Sequence, residues 1–245
     1  MSLMKSTQMI NGKTILAVIP ARGGSKGVKR KNLRNVGGKP LIEWTIDAAK
    51  NAQYIDRVIF SSEDQELMGV ATELGCEVPF ARPDDLATDT ASTIDVVCHA
   101  IRECGKAHDY VVLLQPTSPL RSSEDIDKVV SMCVKNNAPA CVSVSKVSKS
   151  PYWMYEREDS GLLNSLSIRP EIQAYRRQDL PPVYQLNGAV YIADCNWLLE
   201  QNSFICEKTL SYVMPSERSI DVDEELDLIM VNTILSMRNN ESEKH

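Results

Sequence analysis

Short, continuously apolar runs alternate with amphipathic stretches along most of the chain. Residues 14–20 are apolar almost without a break and end in a glycine-rich turn, the pattern of a strand buried on both faces. Over 40–52, Leu41, Trp44, Ile46, Ala48 and Ala49 supply the apolar faces of a helix. The same alternation predicts a strand at 57–61, a helix over 63–74 stopped by Gly75, and a short strand at 76–80. A helix over 92–104, a strand at 110–114, a helix over 123–135 and a strand at 140–145 follow. After a gap the rhythm resumes with a strand at 188–194, a short helix near 196–200 and a strand at 209–215. A final helix over 224–239 keeps Leu226, Ile229, Met230, Ile234 and Met237 at helical spacing. Strands alternating with helices of this length imply βαβ units and an α/β fold, a three-layer α/β/α open and mostly parallel sheet.

The gap, residues 146–186, is rich in Pro, Tyr, Arg and Ser and has weak periodicity. Such a stretch is a loop-rich lid or an arm that packs on another subunit. The expected organisation is a single domain over 14–240 with this irregular arm inside it. A chain of 245 residues suits one domain, and 43% apolar with 24% charged content excludes a disordered or fibrous class. No apolar run approaches the roughly 18–20 residues that span a bilayer, so no membrane association is expected. Residues 15–20 are too short for the core of a secretory leader, which makes a cytoplasmic location the expectation. Seven scattered cysteines, odd in number and without CxxC spacing, argue against a disulfide framework or structural zinc.

A net charge of −6 disfavours nucleic acid as a partner. Its distribution changes the picture. No acidic residue precedes Glu43, while Arg22, Lys26, Lys29, Arg30, Lys31, Arg34 and Lys39 crowd one stretch. That concentration marks a site for a multiply charged anion or a solvated basic surface. The first strand ends in Ala21-Arg22-Gly23-Gly24-Ser25-Lys26-Gly27, where glycines let the backbone approach a ligand and aim N–H groups at it. In an open parallel sheet this is the ligand-binding end. The spacing fits neither the nucleoside-triphosphate loop GxxxxGK[ST] nor the dinucleotide fingerprint GxGxxG.

Asp221 and Asp223, two apart in an extended segment, project to one side, and two carboxylates there repel unless a cation lies between them. Magnesium bound by few carboxylates and completed by phosphate oxygens satisfies that demand. Asp221 with Glu224 equally reads as a capping box for the last helix. Thr90 to Ser92 likewise reads as a helix N-cap, and Gln115 as a loop-ordering side chain. His99 and His108 sit in no recognisable site, and no Ser/His/Asp or Cys/His nucleophile arrangement is present.

Five segments in order resemble the CMP-sialic acid synthetases (acylneuraminate cytidylyltransferases). They are IPARGGSKGVKRKN (19–32), ARPDDLATDTAS (81–92), LQPTSPLR (114–121), RRQDLPPVYQLNGAVYI (176–192) and SIDVDEELD (219–227). The resemblance covers about 15–235 and implies a Rossmann-like nucleotidyltransferase fold, with CTP and a nonulosonic acid as substrates. It implies that Arg22, Gly24, Ser25, Lys26 and Asn32 hold the nucleotide with Arg82 and Ser92, and that Arg22, Lys31 and Asp223 act in catalysis. On the same grounds Gln115, Thr117, Ser118, Arg177, Tyr184 and Asn187 face the sugar acid. Asp221 and Asp223 are implied to bind Mg2+, with Mn2+ a substitute, and the arm to cross to a partner in a homodimer.

The implied reaction is attack of the anomeric hydroxyl on the α-phosphorus of CTP, releasing pyrophosphate. A metal-bound water and Asp223 both stay open as its base. The chain departs from some sialate enzymes in carrying Gln185 and Leu186, with no arginine, between Tyr184 and Asn187. Legionaminic acid is therefore an alternative substrate. An enzyme for another sugar such as Kdo, and a catalytically silent CTP-binding regulator, are the remaining rivals.

Overall fold

Strand β1 (Ile15–Pro20) is buried along its length and feeds both faces of the sheet. Ile15, Ala17 and Ile19 point into one apolar layer, Leu16 and Val18 into the other. The computed structural model describes residues 8–25, 27–105, 107–166 and 176–242. After β1 come a two-residue hairpin, β2 (Asn35–Val36) and β3 (Lys39–Pro40), and helix α1 (Leu41–Asn51). Then follow β4 (Arg57–Ser61), α2 (Gln65–Glu73), α3 (Thr93–Glu103), β5 (Tyr110–Leu113), α4 (Ser123–Lys135) and β6 (Ala140–Lys146). A small hairpin, β7 (Tyr155–Arg157) with β8 (Leu163–Ser165), interrupts the pattern. The chain closes with β9 (Tyr184–Asp194), α5 (Cys195–Gln201), β10 (Leu210–Val213) and α6 (Glu225–Ser242).

The main sheet has the order β10-β6-β9-β5-β1-β4. Five strands run in one direction, and β9 is antiparallel to both of its neighbours. Helices α1 and α4 pack with one layer and α3 and α5 with the other, giving the expected three layers. From β1 the chain crosses first to β4 and then to β5 on the opposite side. The order therefore reverses at β1, and the crevice at its carboxyl end is the natural binding site.

Two expectations are corrected. Residues 76–80 form no strand: Glu77 makes one parallel bridge to Ile59, because Pro79 supplies no N–H to extend the ladder. The segment 146–186 is not wholly irregular among its described residues. It contains the β7–β8 hairpin, and β9 begins at Tyr184 rather than 188. The period-2 signal fails at that start because β9 slips register against β6. Val142 faces Tyr191 but Val144 faces Leu186, so an irregularity carries Asn187 and Gly188.

A third, smaller apolar cluster lies beside the sheet, where Val28, Val36, Leu41, Leu120 and Val222 meet Leu228, Val231 and Leu235 of α6. The segment between β10 and α6 is pinned by Arg218, which donates from Nε and Nη2 to the fully buried Asp125 at 2.9 and 2.8 Å. Asp125 also closes a capping box with Ser122 at the start of α4. Burial would raise its pKa, but Arg218 and the Ser122 hydrogen bonds outweigh this and hold the carboxyl below its usual range.

Breaking a buried pair strands the remaining charge, so Asp125→Ala should cost about 3–5 kcal/mol in urea melts at neutral pH. Because the folded pKa is lowered, the wild-type contribution is present above the unfolded value, about 3.9, and is lost as pH falls through the folded one. The stability gap between wild type and Asp125→Ala should therefore narrow below about pH 4.

Candidate active site

A cleft of about 510 Å³ opens at the carboxyl ends of β1 and β5. Its walls bring together Arg22, Ser25, Lys31, Arg82, Gln115 and Asp223, drawn from four separate sequence segments. Thr117 and Asn32 complete the floor.

The glycine-rich turn is tied down from three sides. The Gly23 N–H donates to Glu63 Oε1 at 2.8 Å, and Asn32 Nδ2 donates to the Arg22 carbonyl at 3.1 Å. A Cβ on Gly27 would stand 2.2 Å from the Asp223 carbonyl oxygen, so the turn and the carboxylate segment touch backbone to backbone. A 3₁₀ turn over Lys31–Leu33 follows, entered through Arg30 in the left-handed region at φ 54°. It aims Lys31 Nζ at the Val222 carbonyl (2.6 Å) and at Asp223 Oδ1 (3.0 Å). The basic loop and the aspartate pair, 190 positions apart in the chain, are thus one constellation.

The other cations also meet carboxylates. Arg22 Nη1 donates to Asp89 Oδ1 at 2.6 Å, and Arg30 pairs with Asp64 at 2.7 Å and with Glu66. Arg82 is buried, donates to Glu63 and to the Ala21 carbonyl (3.1 Å), and leaves Nε buried without a partner. Lys29 is exposed.

Asp221 is crowded by protein yet open to solvent. That crowding raises its carboxyl pKa and Asp223 adds to the rise, while the Thr117 hydroxyl and Lys31 oppose it. Thr117 Oγ1 nevertheless lies outside full hydrogen-bond geometry and is buried without a partner, as is Ser118 Oγ. The capping-box reading of Asp221 and Glu224 is not what the helix uses. Asp227 Oδ2 accepts from the N–H groups of Asp223 (2.9 Å) and Glu224 (2.8 Å), leaving Asp221 outside the cap.

Other predicted residues are elsewhere. Ser92 caps α3 by accepting from the Ile94 N–H at 3.2 Å, and its neighbours Ala91 and Thr93 line the cleft instead. Gly24 is exposed, with open space where a side chain would go. Asn187 is buried and spent on structure: Oδ1 accepts from Ser143 Oγ (2.6 Å) and the Ala189 N–H (3.2 Å), and Nδ2 donates to Ser219 Oγ (3.0 Å). Tyr184 is exposed and pairs with Lys146. Lys146, Ser150, Gln178 and Pro182 line a second cavity of about 620 Å³. Lys26 and the Arg177 side chain lie outside the described residues. Sequence reasoning missed Glu63, Asp89 and Arg121; the position of Glu63 just past the predicted strand at 57–61 was the one available signal.

A family profile described as Cytidylyltransferase matches residues 16–227. The chain is 36% identical over 227 residues to a CMP-N,N'-diacetyllegionaminic acid synthase of Legionella pneumophila, covering 91% of this chain and 97% of that one. It is 37% identical over 218 residues to an N-acylneuraminate cytidylyltransferase of Streptococcus agalactiae serotype V, covering 88% of this chain and 52% of that one, about half its length. A pseudaminic acid cytidylyltransferase of Campylobacter jejuni is 30% identical, with 87% and 92% covered. The fold matches the solved structure of a CMP:2-keto-3-deoxy-manno-octonic acid synthetase complexed with CTP, at a TM-score of 0.69 and 15% identity over 92% of this chain and 99% of that one.

Since a Cβ on Gly27 collides with backbone while one on Gly24 meets nothing, Gly27→Ala should lose about 1–3 kcal/mol in thermal or urea melts. Gly24→Ala should change stability by less than about 0.5 kcal/mol.

Proposed function

Because the chain belongs to the cytidylyltransferase family, we propose that it transfers CMP from CTP to the anomeric hydroxyl of a nonulosonic acid, releasing pyrophosphate. The observation that carries this reading is the convergence of the glycine-rich turn, Lys31 and Asp223 in one cleft with Gln115. The turn is built to receive phosphate oxygens on backbone N–H groups, with Arg22 and Lys31 supplying charge. Lys31 is mostly buried and fixed by the Val222 carbonyl, so its ammonium is preorganised against negative charge developing at the α-phosphate. Positioning and electrostatics of this kind suffice for phosphoryl transfer without a covalent intermediate.

The donor set at Asp221 and Asp223 fits a hard divalent cation. Burial, and to a lesser degree the charge of Asp223, raises the Asp221 carboxyl, and Lys31 already sits against Asp223. Among the described residues no three acidic, His or Cys side chains gather as a metal cluster, so phosphate oxygens would complete the shell, as magnesium prefers. When bound there, Mg2+, or Mn2+ in its place, would offset charge on the triphosphate.

The arm exposes Trp153, Met154, Tyr155, Leu162 and Leu163, and an isolated two-stranded hairpin is marginal alone. This supports a homodimer in which the arm is covered by a second copy. Seven free thiols fit a reducing, cytoplasmic compartment. No helix among the described residues is long and apolar enough to cross a membrane. A second reading, legionaminic rather than N-acetylneuraminic acid as the acceptor, is favoured by the near full-length match to the Legionella synthase and by Gln185.

The deciding experiment is pyrophosphate release with CTP and magnesium, offering N-acetylneuraminic, legionaminic, pseudaminic and Kdo acids in parallel. Release is expected with a nonulosonic acid, and Lys31→Ala should reduce it by about 100-fold or more. Turnover with Kdo alone, or with none of the four, would sink the reading.

A further inference from the structure

Arg121 is buried, 3% exposed, and hydrogen-bonds no carboxylate. Asp125 is near enough to favour its charge, but Asp125 is occupied by Arg218 and Ser122. Burial pushes the guanidinium down to about 9, which still leaves it charged at neutral pH. Its Nε is buried without a partner. A lone buried cation is expensive, and an apolar side chain of similar length would fill the space more cheaply.

What the guanidinium does that an apolar chain cannot is bridge two carbonyls. Nη1 donates to the Gln115 carbonyl at 3.1 Å and to the Ala189 carbonyl at 2.7 Å, while Nη2 donates to Thr45 Oγ1 at 2.6 Å. Gln115 leaves β5 and Ala189 belongs to the irregular start of β9. The β5–β9 ladder ends at the Leu113–Tyr191 pair, so no backbone pairing joins the two strands beyond it. Arg121 supplies that join. Across it, a Cβ on Gly188 would lie 3.5 Å from Gln115 Oε1, so the Gln115 side chain rests on the bare backbone of Gly188.

We propose that Arg121 is a positioning residue that clamps Gln115 against Gly188 and thereby shapes the acceptor end of the cleft independently of its nucleotide end. This rests on the cytidylyltransferase reading for its kinetic consequence, but not for its structural one.

The test compares wild type with Arg121→Met, by hydrogen exchange and by kinetics. Amides in 114–120 and 184–192 should exchange about tenfold faster or more, with 21–33 unchanged. The KM for the sugar acid should rise about tenfold while the Kd for CTP stays within about threefold. Unchanged exchange in the two segments would overturn the proposal, as would parallel loss of CTP and sugar-acid affinity, the signature of a merely structural residue. Should Arg121→Met not fold, Thr45→Val removes one acceptor and leaves Arg121 in place. It should raise the sugar-acid KM about two- to fivefold, and no change would overturn the proposal. The exchange result does not depend on which acid is turned over, so a wild type inactive with every acid would refute the substrate reading alone.

Discussion

The site depends on the burial of Val222. Asp221 and Asp223 are exposed on either side of the fully buried Val222, so seating the valine leaves both carboxylates at the surface. Val222 is fully buried in the small cluster that also holds Val28 and Leu120. Each of those three apolar residues is flanked by candidate site residues: Val28 by the basic loop, Leu120 by the turn from Gln115 to Arg121, Val222 by the aspartates. The backbone completes the seat, since the Val222 N–H donates to the Thr117 carbonyl at 2.7 Å and its carbonyl accepts from Lys31 at 2.6 Å. A handful of apolar contacts therefore fixes the relative positions of three polar segments that share no secondary structure.

The charges around this seat divide into fixed and exchangeable ones. Arg82 is almost fully buried and shares Glu63 with the Gly23 N–H, so both act as framework that holds the glycine turn. Arg22 and Asp89 are both substantially exposed, and such pairs contribute little. An incoming polyanion can displace Asp89 from Arg22 at small cost, whereas displacing Glu63 from Arg82 would strand a buried charge. Lys31 stands between these cases: its own stem is buried, but its partner Asp223 is open.

The parts legible in the sequence were those governed by local pattern. β4 and α4 fall where the periodicity put them, residue for residue, because each is a clean apolar run or amphipathic stretch bounded by caps. The glycine turn and the aspartate pair were found from composition and spacing, and the structure joins them through Lys31. What escaped was set by long-range contact. Nothing local chooses Glu224 with Asp227 over Asp221 with Glu224 as the pair that starts α6, or assigns Asn187 to a network with Ser143 and Ser219 instead of the cleft. Arg121 carried no reading of its own in the sequence, because its burial follows from contacts with α1 and β9.

The reversed strand explains why so much of the hidden part lies on β9. In a wholly parallel sheet every strand meets the ligand with its carboxyl end, and a loop follows. Running antiparallel, β9 presents its first residues there, and the chain then continues into the sheet. Its cleft-side segment is consequently held by ladder bonds on one side and by side chains on the other, which a free loop would lack. The slipped register frees Asn187, Gly188 and Ala189 from regular pairing, and three buried side chains, Ser143, Asn187 and Arg121, take over the hydrogen bonds that the ladder gives up. A strand that is rigid yet irregular at one point can hold a backbone surface against Gln115 of the cleft wall with less freedom than a loop. That is the requirement when one side chain, Gln115, is to be held over one glycine.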